Sequence, residues 1–205
     1  MRPRFCIARM RTRLLAFRWS LTYLALAVVA GSLGCATAGT SPTVPLAAVR
    51  IQLTSPAFTT SGTLPTEYTC DGPDRSPPLS WSEPPPGTAA FVLLVEDPDA
   101  PGGIFTHWLL YDLPAATRSL PPAVPPDETL QSGARQGRND FGTVGYRGPC
   151  PPPGRPHRYV FRLYALDRPT GLPPGAQRNE ILRALEGHIL AIGELVGTYG
   201  REPVR

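Results

Sequence analysis

The sequence predicts a mainly β, antiparallel domain with one or two short helices near its C-terminus. Proline and glycine are frequent, at 27 and 20 of 205 residues, and proline breaks helix interiors but suits rigid loops between short strands. Several short segments have the apolar or alternating pattern of strands, and one segment has helical periodicity. Hydrophobic residues make up 41% and charged residues 18%, so a single domain can bury a core.

Five segments predict strands, and turn-forming residues separate them. Two of them, 51–54 and 158–167, alternate in polarity as half-buried strands do. Residues 89–96 and 105–112 are continuous apolar runs, which predict central strands covered on both faces. The fifth strand is the short segment 79–81.

The helical periodicity lies near the C-terminus, in residues 177–193. Gly187 and Gly193 leave the end of this helix open, and residues 194–199 predict a closing strand. One face of the helix would carry its apolar side chains, namely Ile181, Leu182, Leu185, Ile189 and Leu190.

Residues 1–34 resemble a secretory signal peptide. A basic segment, 1–18, precedes an uncharged and mostly apolar one, 19–33, and small residues follow. The cysteine after them, Cys35, resembles the lipidated cysteine of a bacterial lipobox, although Ser32 stands where leucine is commonest. Ordinary signal cleavage after Ala36 or Ala38 and an uncleaved membrane anchor are the alternatives. The expected organisation is a signal peptide (1–34), a tether (35–50), a domain (51–201) and a tail (202–205).

The charge distribution argues against nucleic acid as a partner. Six of the 20 arginines lie before residue 19, so the chain from Cys35 onward has 14 arginines against all 16 acidic residues, a net charge of −2. A nucleic-acid-binding protein keeps its basic charge on the folded domain. The chain has no lysine, which excludes a Walker phosphate loop and Schiff-base chemistry.

Cys70 and Cys150 remain once Cys6 is removed with the signal peptide and Cys35 is lipidated. In an exported protein an even remainder favours a disulfide. Two buried free thiols are the alternative, because the sequence gives no Cα separation.

Five polar residues lie at strand ends beside proline-rich loops, where side chains often converge on a pocket. A divalent metal site and a hydrolase site are weak alternatives, since no metal-binding spacing and no G-x-S-x-G motif occurs. Non-covalent anion binding, with imidazoles as donors, is a third interpretation. A structural role in turns and core is the fourth. The five residues are Asp97, Asp99, His107, His157 and Tyr159.

Five motifs in this order resemble the phosphatidylethanolamine-binding protein family, and most closely its bacterial Raf-kinase-inhibitor-like branch. They cover nearly the whole of residues 51–201. The motifs are CDGPDRSPPLSW (70–81), EDPDAPGG (96–103), THWLLYDLP (106–114), NDFGTVGYRGPCPPPGRPHRYVFRLYALD (139–167) and GHILAIGELVGTYGR (187–201).

The resemblance implies a β-sandwich, in which a large antiparallel sheet faces a smaller one, and a cavity for phosphate or a phospholipid headgroup. The aspartates would orient the imidazoles and hold them protonated by charge proximity. The loop between the second aspartate and the first histidine is short, and the chain stops soon after residue 201. By position, the ligand-binding residues would be Asp97, Asp99, His107, Pro151, His157 and Tyr159, with Trp81 nearby.

These observations predict a non-enzymatic binding protein of the bacterial cell envelope, on the periplasmic side and lipid-anchored, or else secreted. Its ligand would be a small anion or a phospholipid headgroup, without cofactor or metal. One alternative is a regulator that binds a protein, such as an envelope protease or hydrolase, through its proline-rich loops. The other is a weak hydrolase or metal-dependent enzyme at the same cavity. The export signal separates the chain from cytoplasmic kinases, so kinase inhibition is not expected.

Overall fold

The structure is a computed structural model that describes residues 49–202. The predicted signal peptide, the proposed lipidation at Cys35, most of the tether and the last residues of the tail lie outside this range. Within it, no helix is long and apolar enough to cross a membrane.

Short strands dominate the described residues, together with one 3₁₀ helix, Thr66–Tyr68, and one α-helix. The α-helix, α1, spans Arg178–Leu185. The strands are β1 (Val49–Arg50), β2 (Leu53–Thr54), β3 (Leu79–Trp81), β4 (Ala90–Asp97), β5 (Phe105–Pro114), β6 (Ser119–Leu120), β7 (Arg135–Gln136), β8 (His157–Leu166) and β9 (Ile189–Tyr199).

The strands form two sheets. The large sheet has the order β1-β9-β8-β4-β5-β7, and the small sheet has the order β2-β3-β6. The prediction of a mainly β fold with a large and a small sheet is confirmed. The large sheet is mixed rather than wholly antiparallel, because β1 pairs in parallel with β9 at one edge. This pairing also starts the sheet at Val49, two residues before the predicted domain boundary.

Strand β4 is buried along its whole length, as its continuous apolar run predicts. Phe91, Leu93 and Val95 belong to the core that the large sheet shares with β2, β3 and β6. Val92 and Leu94, which alternate with them, pack in a second core that includes residues of α1. Full burial of such a side chain contributes about 1.5–3 kcal/mol, so both layers stabilise the same central strand.

Two predicted elements, the first strand and the helix, differ from the structure. Residues 51–54 do not form one strand, because the chain crosses between sheets there: the Ile51 amide donates to Ile192 of β9, whereas Leu53 pairs with Trp81 of β3. The helix, whose end the sequence left open because of Gly187 and Gly193, ends at Leu185. Gly187 follows with a φ of +76°, and residues 189 and 190 instead begin β9.

Candidate functional site

A cavity of 280 Å³ lies where β4 ends and where β5 and β8 begin. Because β4 runs antiparallel to both neighbours, its last residues lie beside the first residues of the other two strands. Two loops complete the wall, one after β4 and one before β8. The lining residues are Asp97, Ala100, Pro101, Phe105, His107, Phe141, Cys150, Pro151, Pro152, His157 and Tyr159.

A β-bulge places His107 in the cavity. Val95 pairs with Trp108 and Glu96 pairs with Thr106, so His107 is an extra residue in β5 with no partner in β4. Bulges of this kind re-aim side chains and occur often beside functional sites. The imidazole packs edge-on against the Tyr159 ring, with 5.2 Å between ring centroids.

The backbone of Arg147 fixes the orientation of the His107 ring. Nδ1 of His107 lies 2.7 Å from the carbonyl oxygen of Arg147, and the Arg147 amide donates to the His107 carbonyl at 3.1 Å. A carbonyl oxygen only accepts, so Nδ1 carries a hydrogen and Nε2 is left for the cavity. Burial lowers the pKa of His107, although the Arg147 carbonyl and the charge of Asp97 oppose this effect.

His157 is held in the same way, by a carboxylate. Its Nδ1 lies 2.8 Å from Oδ2 of Asp97, and Oδ1 of Asp97 accepts the Asp99 amide at 2.8 Å. Both carboxylate oxygens are therefore engaged within the protein. As with His107, the unengaged ring nitrogen of His157 is Nε2.

The Tyr159 hydroxyl is the unsatisfied polar group of the site. The residue is 1% exposed, and its hydroxyl makes no hydrogen bond of normal geometry within the described residues, although the Asp97 carboxylate lies near it. Burial, reinforced by the negative charge and the proximity of the Asp97 carboxylate, raises the pKa of Tyr159 far above its ordinary value, so the group is an O–H donor. A buried donor without a partner costs about 1–3 kcal/mol, a cost that a ligand oxygen would remove.

The structure brings together five of the seven residues that the sequence proposed for this site. Asp99 and Trp81 do not line the cavity. The Asp99 carboxylate bonds the amide and guanidinium of Arg158, and these bonds hold the pKa of Asp99 well below its usual range. Asp99 therefore fastens the loop after β4 to β8.

Trp81 lies in the core between the sheets. Its ring packs edge-on against Phe91, with 5.5 Å between centroids. Phe91 is six residues before Asp97 in β4, which corresponds to roughly 20 Å along a strand. Trp81 thus supports the far end of the sheet.

Two aromatic residues of the wall were not predicted. Phe105 precedes the bulge, and Phe141 lies in the loop after β7, where Oδ1 of Asn139 accepts the amides of Phe141 and Thr143. The Asn-Asp-Phe-Gly sequence indicates such a turn. Nothing in the local sequence indicates that the turn brings Phe141 to 5.4 Å from the His107 ring.

A disulfide holds the rim opposite β4. Cys70 is bonded to Cys150, with 5.4 Å between their Cα atoms, and the Cys70 amide donates to the carbonyl of Pro149 at 3.0 Å. Cys150 and Pro151 both line the cavity. The position of this wall therefore depends on a covalent link to the loop before β3.

The lining residues include no serine, no threonine and no free thiol. Within residues 49–202 no group of three or more His, Cys, Asp or Glu side chains is placed to hold a metal ion. The polar side chains among the lining residues are Asp97, His107, His157 and Tyr159. Such groups suit hydrogen bonding to a small polar ligand.

Comparisons with known proteins place the described residues in one family. The family model described as phosphatidylethanolamine-binding protein matches residues 54–200. A UPF0098 protein of Methanothermobacter thermautotrophicus is 47% identical over 151 residues, covering 74% of this chain and 99% of the relative. A UPF0098 protein of Aquifex aeolicus is 47% identical over 154 residues, covering 74% and 90%.

Two solved structures resemble this one. One is a putative phosphatidylethanolamine-binding protein homologue of Chlamydia trachomatis, at 40% identity and a TM-score of 0.68, covering 75% of this chain and 99% of that one. The other is YbcL of Escherichia coli, described as a member of the same family, at 35% identity and a TM-score of 0.70. It covers 75% of this chain and 100% of its own.

Proposed function

Because the chain belongs to the phosphatidylethanolamine-binding protein family, we propose that it is a non-enzymatic binding protein for a phosphate-type oxyanion. Members of the family bind phospholipid-like ligands, and some bind proteins. The oxyanion would be a free phosphate ester or a lipid headgroup. The observation that carries the proposal is the buried, unpartnered Tyr159 hydroxyl beside two imidazoles whose Nε2 atoms are unengaged.

The shape and chemistry of the wall support this ligand class. A volume of 280 Å³ is near the lower limit of small-molecule sites, which suits a compact polar group. Phe141, at the mouth, is 40% exposed and offers an apolar surface to the remainder of the ligand. The lining residues include no serine, threonine or free thiol, which argues against covalent catalysis by a serine, threonine or cysteine nucleophile.

The envelope location belongs to the same proposal. The Cys70–Cys150 disulfide supports it, because disulfides persist in oxidising compartments and are rare in the cytosol. The basic and apolar segments before Cys35 and the small residues beside it support export and lipidation. Mass spectrometry of the protein from the native membrane would detect diacylglycerol on Cys35, and an intact N-terminus would contradict this part of the proposal.

The ligand test uses the full chain in non-ionic detergent. Isothermal titrations with phosphoethanolamine and with inorganic phosphate form one arm, and detergent-dispersed phosphatidylethanolamine forms the other. We expect saturable binding that falls at least about tenfold in the His107→Ala, His157→Ala double variant, since each lost hydrogen bond to a charged group is worth about 1.5–3 kcal/mol. His188→Ala is the matched control, because His188 bonds Asp167 and does not line the cavity.

The two arms distinguish the sources of the ligand. Binding of only the dispersed lipid would identify a headgroup with its lipid, and binding of both would identify the phosphate group itself. Absence of binding by a wild-type protein with a cooperative thermal melt would overturn the proposal. Release of inorganic phosphate or alcohol, followed by phosphorus NMR, would replace it with the hydrolase alternative.

A further inference from the structure

The cavity contains a hydrogen-bond acceptor, whereas a site for a fully deprotonated anion needs only donors. Nδ1 of His107 is committed to the Arg147 carbonyl, so the neutral ring presents a lone pair at Nε2. The oxygen of a fully deprotonated oxyanion also has only lone pairs. A neutral His107 therefore accepts a hydrogen bond from a ligand that carries a proton, and repels one that carries none.

We propose, resting on the function proposed above, that the site selects oxyanions that bring their own proton. The ligand class is then the phosphate monoester monoanion, whose P–OH donates to Nε2 of His107. A sulfate monoester has the same charge and nearly the same shape but no such proton. His107 is thus the residue that distinguishes phosphate from sulfate.

The surroundings of His107 favour its neutral form. The residue is 2% exposed, and the Phe105 and Phe141 rings pack against it at 5.3 and 5.4 Å between centroids. Burial in such surroundings disfavours the imidazolium, which is the direction in which the pKa of His107 shifts.

The charged and titratable groups that face His107 do not reverse this. Asp97, from β4, already accepts from His157 and from the Asp99 amide. Asp74, in the loop before β3, already forms a salt bridge with the Arg147 guanidinium, with 2.9 Å between Oδ2 and Nε, and accepts a hydrogen bond from the Gly148 amide at 2.6 Å. Tyr159 and His157, from β8, bring no negative charge. No carboxylate therefore hydrogen-bonds His107 within the described residues.

A donor for another ligand oxygen lies on β8, because the Tyr159 hydroxyl carries a hydrogen and makes no hydrogen bond of normal geometry within the described residues. The cavity thus has a donor on the β8 side and an acceptor on the β5 side. This asymmetry matches a protonated phosphate ester, which has three acceptor oxygens and one O–H.

The test compares methyl phosphate with methyl sulfate on the full chain in non-ionic detergent at pH 5.5. The second pKa of a phosphate ester is about 6, so both ligands are mainly monoanions at this pH. We expect methyl phosphate to bind at least about tenfold more tightly, because sites that hydrogen-bond a ligand O–H reject the analogue without it. Titration in two buffers of different ionisation enthalpy counts the protons taken up.

The proton count tests the proposal in the wild-type protein, without a variant. We expect methyl sulfate to bind with more proton uptake than methyl phosphate, since a hydrogen bond between its oxygen and Nε2 of His107 needs a proton that this ligand does not bring. The affinity for methyl phosphate should fall as pH rises above about 6, where the ligand loses its own proton.

His107→Gln supplies an amide that can either donate or accept, so the preference should shrink towards equal affinities. His188→Gln, the same change at a histidine outside the cavity, should keep the wild-type preference. Equal binding of both ligands by the wild type, or equal proton uptake, would overturn the proposal while leaving anion binding intact. Failure of the folded protein to bind either ligand would overturn anion binding itself, and this proposal with it.

Discussion

Two adjacent carboxylates at the end of β4, Glu96 and Asp97, lie on opposite faces of the large sheet and are 3% and 4% exposed. Glu96 accepts from Arg162 at 3.2 Å and from Arg178 of α1 at 2.5 Å. Arg162 also bonds Glu194 of β9 at 2.9 Å. The Glu96 cluster, defined here as these four residues, therefore links β4, β8, β9 and α1 through side chains that satisfy one another.

The cavity on the Asp97 face has a different hydrogen-bonding balance. Asp97 itself is satisfied, but its neighbours are not, since the Tyr159 hydroxyl and the Nε2 atoms of His107 and His157 have no partner among the described residues. Both faces bury charge beside the same strand. A buried charge alone therefore does not identify a site, whereas unfilled hydrogen-bonding capacity beside it points to a ligand.

The Cys70–Cys150 disulfide, which borders the cavity on the Asp97 face, is the feature whose loss should have the greatest consequence. Reduction should lower the free energy of unfolding by about 2–4 kcal/mol, as expected when a long loop loses its cross-link. It should also weaken anion binding, since Cys150 and Pro151 form part of the wall. Urea unfolding and ligand titration, each with and without reductant, measure both effects.

The Cys70→Ser, Cys150→Ser variant is the control for this experiment. It should match the reduced wild type in stability and should not respond to reductant. If the oxidised and reduced proteins bound the anion equally well, the wall would not depend on the covalent link.

The second effect should separate the two faces. Glu96→Gln leaves Arg178 without a carboxylate and removes one of the two that bond Arg162, and we expect a loss of about 1–3 kcal/mol in unfolding free energy with unchanged anion affinity. Asp97→Asn should lower the anion affinity more than the unfolding free energy. The reason is that the single amide oxygen of asparagine cannot accept from both His157 and the Asp99 amide. Chemical denaturation and isothermal titration of both variants give the four values. Equal changes in anion affinity for the two variants would contradict the assignment of ligand binding to the Asp97 face.

Local patterns predicted much of the fold. The apolar runs located β4 and β5, and alternation located β8. Each of these strands has enough consecutive residues for their hydrophobicity to show which positions are buried. Pairings between distant segments left weaker signals. The crossing between sheets at residues 51–54 and the early end of α1 depend on tertiary hydrogen bonds and on one positive φ at Gly187, which hydrophobic periodicity does not report.

The candidate site divides in the same way. Asp97, His107, His157, Tyr159 and Pro151 could be proposed from motifs at strand ends and from the family resemblance, and all five line the cavity. The alternation pattern of β5 does not reveal the bulge that turns His107 inward. The sequence also does not show that Asp99 serves Arg158 instead of the cavity, since either role needs an aspartate in that loop.

Removal of a single buried hydroxyl should change stability least, and it tests directly whether the cavity has an unfilled donor. Tyr159→Phe and Tyr146→Phe each remove one hydroxyl from a tyrosine of the same core. The Tyr146 hydroxyl donates to the Tyr68 carbonyl at 2.7 Å, so its loss should cost about 0.5–1.5 kcal/mol of stability without changing anion affinity. The Tyr159 hydroxyl has no partner to lose, so Tyr159→Phe should leave stability unchanged or slightly higher while weakening the anion. Thermal melts and titrations of the pair decide the matter: a destabilised Tyr159→Phe protein with full affinity would mean that this hydroxyl serves the fold, and that the cavity has no unfilled donor for a ligand.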